Sequence, residues 1–404
     1  MKYEASFRDA KVLITGGAGF IGSNLARRLV GSGATVTLVD SLIPTYGGNL
    51  FNIADIRERL TLNVTDVRDP YAMAYLVQGQ DYLFNLAGQT SHLDSMSDPQ
   101  TDLAINATAQ LSILEACRRH NPKVKIVFAS TRQLYGKPEY LPVDEKHPIC
   151  PVDVNGVNKL AGEWYHLLYN NVYGIRAVAL RLTNTYGPGM RVKDARQTFL
   201  GIWLRNLIDG APLQVFGDGN QLRDLNFVDD VVEALLLVAS RSTAYGQIYN
   251  LGSKEVVSLK ALAELLVRLH GAGKVDIVPF PPERKVIDIG DYYSDFGKLR
   301  EELGWAPVVS LENGDPYHYF RRIPPFAISM VRSRGMRFLI ISNAAGSNET
   351  NFGRLREHML NKLLPARLGL AASEIPRPLR SIALPQPALG DLTVRLRRQR
   401  KGVD

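Results

Sequence analysis

A glycine-rich segment near the start of the chain restricts its fold more than any other sequence feature. The apolar run Lys11–Thr15 leads into a loop, 16–22, in which glycine recurs at every third position. A helical stretch over about 23–30 follows, and a second apolar run, 35–39, ends at Asp40. Glycines without a Cβ let backbone N–H groups approach a pyrophosphate closely, and the helix N-terminus adds a favourable dipole. The segment therefore predicts a strand–loop–helix–strand unit that binds a dinucleotide.

The acidic residue after the second strand indicates which dinucleotide is bound. Asp40 lies about 18 residues after Gly22, where a carboxylate can accept hydrogen bonds from the adenosine ribose hydroxyls. A carboxylate there would repel a 2′-phosphate, so NAD is favoured over NADP. The glycine spacing, with Thr15 before it, resembles that of the short-chain dehydrogenase/reductase superfamily, particularly its extended branch. This resemblance also places Phe20 and Ile21 beside the cofactor.

Apolar runs alternate with helical stretches up to about residue 182, which predicts an α/β fold with a Rossmann-type, doubly wound parallel sheet. Strands are predicted over 60–64, 82–86, 124–129 and Arg176–Leu182, and helices from about 70, over 99–119 and from about 153. Less regular elements follow, with strands over Leu213–Phe216 and 247–251 and helices over 231–239 and 259–269. We expect an NAD-binding domain over 1–182 and a smaller C-terminal substrate-binding lobe over 183–312, interleaved with the first.

The sequence changes character after about residue 312. Arginine and proline become frequent, and long amphipathic runs are lacking. Members of the extended branch usually end soon after a Leu-Gly-Trp segment, which is found here at 303–305. We therefore expect 313–404 to be an atypical, poorly ordered extension that arose by a frameshift or from a degraded fusion. One strand over 336–341 is still compatible with its sequence.

Charge and composition exclude several classes of protein. The net charge is +8, but the basic excess lies after about residue 320 and lacks the aromatic interleaving of a nucleic-acid-binding segment. No run approaches the ~20 apolar residues of a membrane span, and the first ten residues are polar, so we expect neither membrane insertion nor secretion. Cys117 and Cys150 are too few for a disulfide framework or a zinc cluster, which fits a reducing cytoplasm.

The segment 128–136 carries the first candidate for catalysis. Its residues Ser130, Thr131, Tyr135 and Gly136 resemble the Ser-Ser/Thr-x-x-x-Tyr-Gly segment of nucleotide-sugar epimerases, dehydratases and decarboxylases. By this resemblance, Thr131 hydrogen-bonds the sugar hydroxyl that is oxidised. Because the segment follows a strand of the predicted parallel sheet, it lies at the edge where such sheets bind ligands.

The Tyr-x-x-x-Lys signature of the superfamily is incomplete in this chain. Asn155 and Lys159 stand at the two positions, one helical turn apart on a shared face. The resemblance implies that Lys159 binds the nicotinamide ribose, but the amide of Asn155 cannot act as a general base near neutral pH. Either another group, such as Tyr135, His92 or a water chain, takes the proton, or the protein binds cofactor and sugar without turnover.

Two later segments resemble substrate-binding motifs of the same enzymes. The segment 181–188 matches Arg-x-x-Asn-x-Tyr-Gly-Pro, which implies that Asn184 contacts the nucleotide phosphates. Within 214–224, Arg223 would pair with the diphosphate and Phe216 would lie beside the nucleobase. The segment 227–230 is expected to cap a helix. The other positions implied by the resemblance are Ser95 and Arg284 for the substrate, and Gly16, Gly19, Gly22, Asp66, Val67, Leu86, Ala87, Gly88 and Asn106 for the cofactor.

The resemblance implies hydride transfer from sugar C4 to NAD, which gives a 4-keto intermediate. Dehydratases carry Thr-Asp-Glu at the catalytic turn, and Thr131-Arg132-Gln133 lacks both acids, so 4,6-dehydration is disfavoured. A C4 epimerase of UDP- or TDP-linked sugars is therefore the first hypothesis. A UDP-glucuronate decarboxylase, with Arg132 or Arg191 as the cation for the carboxylate, and a non-catalytic binder of NAD and sugar nucleotide are the alternatives. A homodimer formed through a helix pair is a further expectation from the resemblance.

Overall fold

The computed structural model describes residues 3–43, 45–194 and 198–314, together with two strands beyond them. The strands are β1 (Lys11–Thr15), β2 (Thr35–Asp40), β3 (Thr61–Val64), β4 (Tyr82–Asn85), β5 (Lys125–Thr131), β6 (Arg176–Leu182), β7 (Asn184–Tyr186), β8 (Leu213–Phe216), β9 (Leu222–Phe227), β10 (Ile248–Asn250), β11 (Val256–Ser258), β12 (Val275–Val278), β13 (Ser329–Ser333) and β14 (Met336–Ile340). The helices are α1 (Phe20–Gly31), α2 (Pro70–Leu76), α3 (His92–Ser97), α4 (Pro99–Leu103), α5 (Ala109–His120), α6 (Val154–Tyr173), α7 (Phe199–Ile208), α8 (Val228–Ser240), α9 (Leu259–His270), α10 (Pro282–Lys285) and α11 (Gly297–Leu303).

The described residues form a central sheet of seven strands in the order β10-β6-β5-β4-β1-β2-β3, and every pair in it is parallel. Because side chains alternate along a strand, β1 serves both faces of this sheet. Val12 joins a buried cluster with α1 and α8 on one face, whereas Leu13 joins a cluster with α2 and α5 on the other. The predicted doubly wound α/β fold is confirmed.

The residues after β6 form two small sheets beside the central one. One has the order β11-β9-β7, and the other pairs β8 with β12. The chain also returns to the central sheet, where Tyr249 of β10 lies opposite Leu180 of β6. This return is compatible with the interleaving expected from the sequence, and the division into 1–182 and 183–312 stays a prediction.

Several elements differ from the sequence predictions. The sequence does not predict α3, α7 or β9, and the helix expected over 99–119 is divided by a π-helical segment, Ala104–Thr108. The prediction that the side chains of 227–230 cap a helix is wrong. Helix α8 follows Phe227, whose side chain has no acceptor, and no side chain caps it. The carboxylate of Asp230 instead accepts hydrogen bonds from the backbone N–H groups of Val308 and Val309 at 3.2 and 3.1 Å.

The chain divides into two compact units, Met1–Tyr317 and His318–Asp404. In the second unit, β13 and β14 pair in antiparallel fashion, so a strand is found where the sequence allowed one at 336–341. The prediction of a poorly ordered extension over 313–404 otherwise falls outside the described residues. Among the helices of the described ranges, none is long and apolar enough to cross a membrane.

Candidate active site

The loop 16–22 forms a turn that requires glycine at the carboxyl end of β1. Gly16 has a φ of +68°, and a Cβ on Gly22 would overlap the carbonyl oxygen of Gly16. Helix α1 follows with Gly19 as its N-cap, and no side chain caps it. Its first backbone N–H groups and its dipole are thus available to an anionic group.

A cavity of about 290 Å³ lies at this edge of the central sheet. Its wall contains most of the residues that the sequence predicts for the site. These are Gly16, Gly19, Phe20, Ile21, Gly22, Asp40, Asp66, Val67, Leu86, Ala87, Gly88, Thr131, Asn155, Lys159 and Asn184. They come from the carboxyl ends of six strands of one sheet, β1 to β6, and from the first turns of α6, so the parallel topology gathers them.

The acidic residues of the cavity wall fit a dinucleotide with free ribose hydroxyls. Asp40 is fixed by backbone N–H groups of Ala18 and Leu42 at 3.0 and 2.8 Å. Burial raises the pKa of Asp40, and these two hydrogen bonds oppose that change. Asp66 forms a bidentate pair with Arg68 at 3.0 and 2.7 Å, which lowers the pKa of its carboxyl. A carboxylate beside a glycine-lined helix N-terminus is the arrangement that NAD requires.

Thr131 and Lys159 both line the cavity, Thr131 at the carboxyl end of β5 and Lys159 through its contact with Ala129 of the same strand. The Thr131 hydroxyl oxygen accepts a hydrogen bond from the Gln133 backbone N–H at 3.2 Å, and its own hydrogen stays available as a donor. Lys159 is buried, donates to the Ala129 carbonyl oxygen, and has Nζ 4.3 Å from the centre of the Phe128 ring. Desolvation lowers the pKa of Lys159 to about 8, although nearby carboxylates oppose this change.

Asn155 is held rigidly by a buried carboxylate. Its Nδ2 donates to the Gln89 carbonyl oxygen at 2.8 Å and to Asp102 Oδ2 at 3.0 Å. Asn106 donates from its own Nδ2 to the same two acceptors, and Asn158 donates to Asp102 Oδ1 at 2.8 Å. Because both Nδ2 hydrogens of Asn155 are used, this residue offers the cavity an acceptor oxygen and no basic group.

Tyr135 does not reach the cavity wall. Its hydroxyl donates to Asn250 Oδ1 at 2.7 Å and accepts from Arg181 Nη1 at 2.6 Å. Burial raises the pKa of Tyr135 to about 12. Both contacts tie the hydroxyl to β6 and β10, so Tyr135 is not supported as a substitute for the missing base. The sequence could not reveal this, because its partners are distant in the chain.

Ser95 and Asn106 lie behind the cavity wall rather than in it. The Ser95 hydroxyl donates to the His92 carbonyl oxygen at 2.7 Å and accepts from the Asn155 backbone N–H at 3.2 Å. Asn106 is buried, and a Cβ on Gly88 would lie 2.9 Å from its Oδ1. These two residues therefore position wall residues; direct contact with substrate or cofactor is not supported for either.

The predicted nucleotide-binding residues Phe216, Arg223 and Arg284 of the smaller lobe do not line this cavity. Arg284 lies over the Phe216 ring, with its guanidinium carbon 5.6 Å from the ring centre, and Phe280 packs against the same ring at 5.7 Å. Arg223 is buried and donates to the carbonyl oxygens of Leu222 and Gly290. Desolvation and the neighbouring Arg132 lower the pKa of Arg223 to about 10.

Arg132 and Asn184 contribute unsatisfied donors to the cavity. Arg132 Nη2 donates to Asn184 Oδ1 at 3.3 Å, and the guanidinium stacks over Tyr292 at 4.9 Å. Arg132 Nη1 and Asn184 Nδ2 are buried and have no hydrogen-bond partner among the described residues. Buried donors of this kind are costly unless a ligand satisfies them, so this end of the cavity is suited to an anionic or acceptor-rich ligand.

Several residues important to the site lack a sequence signal of their own. Gln89, Asp102 and Asp153 are buried and hold Asn155, His92 or Gln133 in place. Only Asp153 could have been suspected, since it stands at the predicted start of a helix, where a carboxylate can serve as N-cap. Its cap role is realised through a 2.7 Å hydrogen bond from the Gly156 backbone N–H.

Comparison with known proteins extends these observations. Residues 12–252 match the model of the NAD dependent epimerase/dehydratase family. The chain is 32% identical over 306 residues to the UDP-glucose 4-epimerase of Mycolicibacterium smegmatis, which covers 75% of this chain and 96% of that protein. It is 32% identical over 313 residues to the dTDP-glucose 4,6-dehydratase of Streptomyces niveus, which covers 75% of this chain and 90% of the other.

A solved structure shows a related protein with both of its ligands. The UDP-glucuronic acid 4-epimerase of Bacillus cereus, in complex with UDP-glucuronic acid and NAD, superposes with a TM-score of 0.70 at 27% identity. The match covers 78% of this chain and 99% of that one. The glycine loop, the acid after β2 and the donor-rich end of the cavity thus occur in a chain that is similar to proteins acting on nucleotide sugars.

Proposed function

The chain belongs to the NAD-dependent epimerase/dehydratase family, and from this premise we propose that it is a nucleotide-sugar 4-epimerase acting through a 4-keto-sugar intermediate. The observation that carries the proposal is that Thr131 and Lys159 line the same cavity, which begins at the glycine loop. Dehydration would need acid and base at the positions of Arg132 and Gln133, and neither side chain can supply a carboxylate. Epimerisation requires the fewest additional groups.

The residues of the cavity wall fit NAD, on which the family depends. The loop 16–22 would hold the pyrophosphate, Asp40 the adenosine ribose, and Lys159 the nicotinamide ribose. NAD, when bound, supplies a reversible acceptor for the hydride of the sugar carbon. The chain's own contribution is to orient the sugar, to exclude water and to take the hydroxyl proton.

Thr131 is the residue that we propose orients the sugar hydroxyl to be oxidised. Its oxygen already accepts from Gln133, so the hydroxyl is held at the end of β5 with its hydrogen available to the sugar oxygen. Lys159 provides a positive charge on the same cavity wall, and its position is fixed because burial and its bond to Ala129 restrict it. A preorganised charge of this kind favours the alkoxide that forms during oxidation.

Incubation of the purified protein with UDP- and TDP-linked sugars tests this proposal. We expect C4 epimers among the products and transient absorbance of bound NADH. Thr131→Ala should reduce turnover about a hundredfold, as loss of an orienting hydrogen bond at the reacting group does. Thr61→Ala, an exposed position on β3, is the matched control and should leave turnover unchanged. Saturable sugar-nucleotide binding without any NAD reduction would instead identify a non-catalytic binder. This is the alternative that follows from an asparagine, Asn155, at the position of the tyrosine.

A second candidate function is decarboxylation of a UDP-linked uronic acid, favoured by the unsatisfied Arg132 Nη1. Arg191, the other cation considered, is engaged in an ion pair with Asp194 at 2.5 Å. Arg132→Met should abolish turnover of UDP-glucuronate while sparing UDP-glucose. Release of carbon dioxide would identify a decarboxylase, and a galacturonate product an epimerase. Equal activity of Arg132→Met toward both sugars would exclude a role of this guanidinium in binding a carboxylate.

The protein is also proposed to form a homodimer through helix α6. Val157, Trp164, Leu168 and Val172 are exposed at spacings of seven, four and four residues, so they form one apolar face of this helix. Contiguous exposed apolar surface on a folded protein commonly marks an interface. An isologous pair of α6 helices would cover this face in both copies.

A further inference from the structure

A nucleotide-sugar epimerase of this kind requires a group that takes the proton of the oxidised hydroxyl. Asn155 cannot do this, and the Tyr135 hydroxyl is bound to Asn250 and Arg181 away from the cavity. Lys159 is a donor in its charged form and is bound to Ala129. The proton acceptor therefore has to be sought among the other side chains of the cavity wall.

His92 is the imidazole on that wall. It is the first residue of α3, follows the loop after β4, and keeps 36% of its side chain exposed. Its Nδ1 is buried and lies 3.0 Å from Asp153 Oδ2, within ion-pair distance, but the present orientation of the ring does not give this contact the geometry of a hydrogen bond. Nε2 lies across the ring from this contact and has no hydrogen-bond partner among the residues that the structure describes, so it is available to a ligand in the cavity.

Asp153 is built to orient this ring. Its side chain is completely buried. Oδ1 accepts the Gly156 backbone N–H at 2.7 Å, and Oδ2 accepts Gln133 Nε2 at 2.8 Å in addition to facing His92. Although desolvation opposes it, the contact with His92 helps to hold the pKa of Asp153 below its usual value. The carboxylate is thus charged and fixed in position, and a small rotation of the imidazole ring would bring Nδ1 into a hydrogen bond with it.

We propose that His92 is the general base that replaces the missing tyrosine and that Asp153 positions it, an inference that rests on the proposed epimerase function. A carboxylate at Nδ1 keeps the hydrogen on that nitrogen, which leaves the Nε2 lone pair free to accept a proton. In the oxidation, the O–H bond of the sugar breaks and its proton forms a bond with Nε2. The carbon–oxygen bond becomes a double bond while the hydrogen on that carbon leaves with its electron pair to NAD.

The reverse step uses the same groups. The imidazolium returns its proton from Nε2 to the keto oxygen as the hydride returns to the sugar carbon, and the charge of Asp153 stabilises the imidazolium between the two steps. Asn155 has a different task in this arrangement. With its amide hydrogens committed to Gln89 and Asp102, its oxygen can accept a hydrogen bond from the sugar or the cofactor.

The tautomer of His92 tests the dyad without any turnover. In the full-length protein labelled with 15N-histidine, we expect His92 to carry its hydrogen on Nδ1, with a strongly deshielded resonance typical of an imidazole bonded to a carboxylate. Asp153→Asn keeps the oxygen that accepts from Gly156 but should lose this resonance pattern. A neutral His92 with its hydrogen on Nε2 in the unmodified protein would overturn the assignment.

Single-turnover kinetics test the proton transfer itself. His92→Gln should slow the appearance of bound NADH by about 10²–10⁴-fold with little change in sugar-nucleotide affinity, which is the range of general base catalysis. Free imidazole should partly restore the rate in His92→Gln but not in Asp153→Asn, whose rate should fall about tenfold or more. His120→Gln, on the exposed end of α5, is the matched control.

Unchanged NADH formation in His92→Gln would overturn the proposal, because it requires another proton acceptor. If the unmodified protein reduces no NAD with any sugar nucleotide, the proposed epimerase function fails. The tautomer measurement would still decide whether the His92–Asp153 dyad exists, so the two failures are distinguishable.

Discussion

At the scale of single residues, the buried carboxylate of Asp102 determines what the cavity presents at position 155. It accepts hydrogen bonds from the amides of Asn106, Asn155 and Asn158. Asn106 and Asn155 also share the Gln89 carbonyl oxygen. This arrangement is redundant for Asn155, because both of its acceptors also receive a hydrogen bond from Asn106. It is not redundant for Asp102, because these three amides have no replacement for its carboxylate as their shared acceptor.

That redundancy predicts unequal effects of two alanine substitutions. Asn155→Ala should lower the free energy of unfolding by only about 1 kcal/mol, the usual net value of a hydrogen bond. Asp102→Ala leaves three buried amides short of an acceptor and should cost about 3 kcal/mol or more. Urea denaturation followed by circular dichroism measures both, provided that the m-values agree. Similar losses in the two variants would contradict the proposed redundancy.

The buried lysine predicts how activity depends on pH. Desolvation lowers the pKa of Lys159 to about 8, so its charge is present below that pH and is lost as pH rises through it. We expect kcat/KM for the sugar nucleotide to decline above about pH 8. Lys159→Arg keeps its charge at all accessible pH values and should lack this alkaline decline, even if its activity is lower. An identical decline in Lys159→Arg would assign it to another group.

At the scale of elements, helix α6 joins the edge of the sheet that carries the cavity to the core of the sheet. Its N-cap Asp153 contacts His92, its first turns carry Asn155 and Lys159, and its middle carries Glu163. Glu163 accepts from Ser130 at 2.6 Å and forms a bidentate ion pair with Arg181 at 3.0 and 2.6 Å. The pair therefore fixes α6 against both β5 and β6.

Removal of one partner from this ion pair should be strongly destabilising. Arg181 and Glu163 have side-chain exposures of 2% and 0%. Arg181→Met leaves an uncompensated buried carboxylate and removes a donor to Tyr135, so we expect a loss of about 3–5 kcal/mol. Thermal and urea unfolding measure the loss.

The exposed pair Arg268–Glu312 offers the matched control for this ion pair. Its side chains are 68% and 72% exposed, and water screens their attraction. Arg268→Met should therefore leave the unfolding midpoint almost unchanged. A comparable loss of stability from both substitutions would show that burial of the Arg181–Glu163 pair is not what makes it important.

At the scale of the whole molecule, the two faces of the central sheet have different surroundings. Helices α1 and α8 share one buried cluster with the smaller elements around Trp305. On the other face, α6 lies outermost beside α5 and carries the apolar face of Val157, Trp164, Leu168 and Val172. The proposed homodimer would bury this face against a second copy.

A charge placed on that face should separate the subunits. Trp164 is 57% exposed, and Trp164→Glu would put two carboxylates into the proposed interface. We expect sedimentation analysis to show a dimer for the unmodified protein and a monomer for this variant, with circular dichroism unchanged. Val308→Glu, on the α8 side of the sheet, should remain dimeric. A monomeric unmodified protein at micromolar concentration would rule out the proposed dimer.

Local sequence patterns predicted much of the fold and the cofactor part of the cavity. Strand β6 has the predicted bounds, and the loop 16–22 leads to a glycine-dependent turn because its conformation follows from neighbouring residues. The smaller lobe was predicted less completely. Strand β9 buries the polar residues Arg223, Asp224 and Asn226 and so lacks the apolar pattern of a strand. The prediction also missed α7, although Leu200, Leu204 and Leu207 follow helical spacing. The family resemblance identified Thr131 and Lys159 as candidate site residues. It did not predict the contacts that fix their positions, with Gln133 and Ala129.

The sequence by itself determined that this chain builds a doubly wound sheet with a dinucleotide-binding loop, because both depend on short-range patterns of apolar residues and glycine. It also determined that position 155 carries no base. Only the tertiary structure decided which groups surround that position. Asp153 meets His92 and Asp102 meets Asn155 across separations of 61 and 53 residues in the chain, and such contacts arise from packing rather than from local sequence. For the same reason, only the tertiary structure shows that the Tyr135 hydroxyl is bound by Asn250 and Arg181 and that His92 lies on the cavity wall.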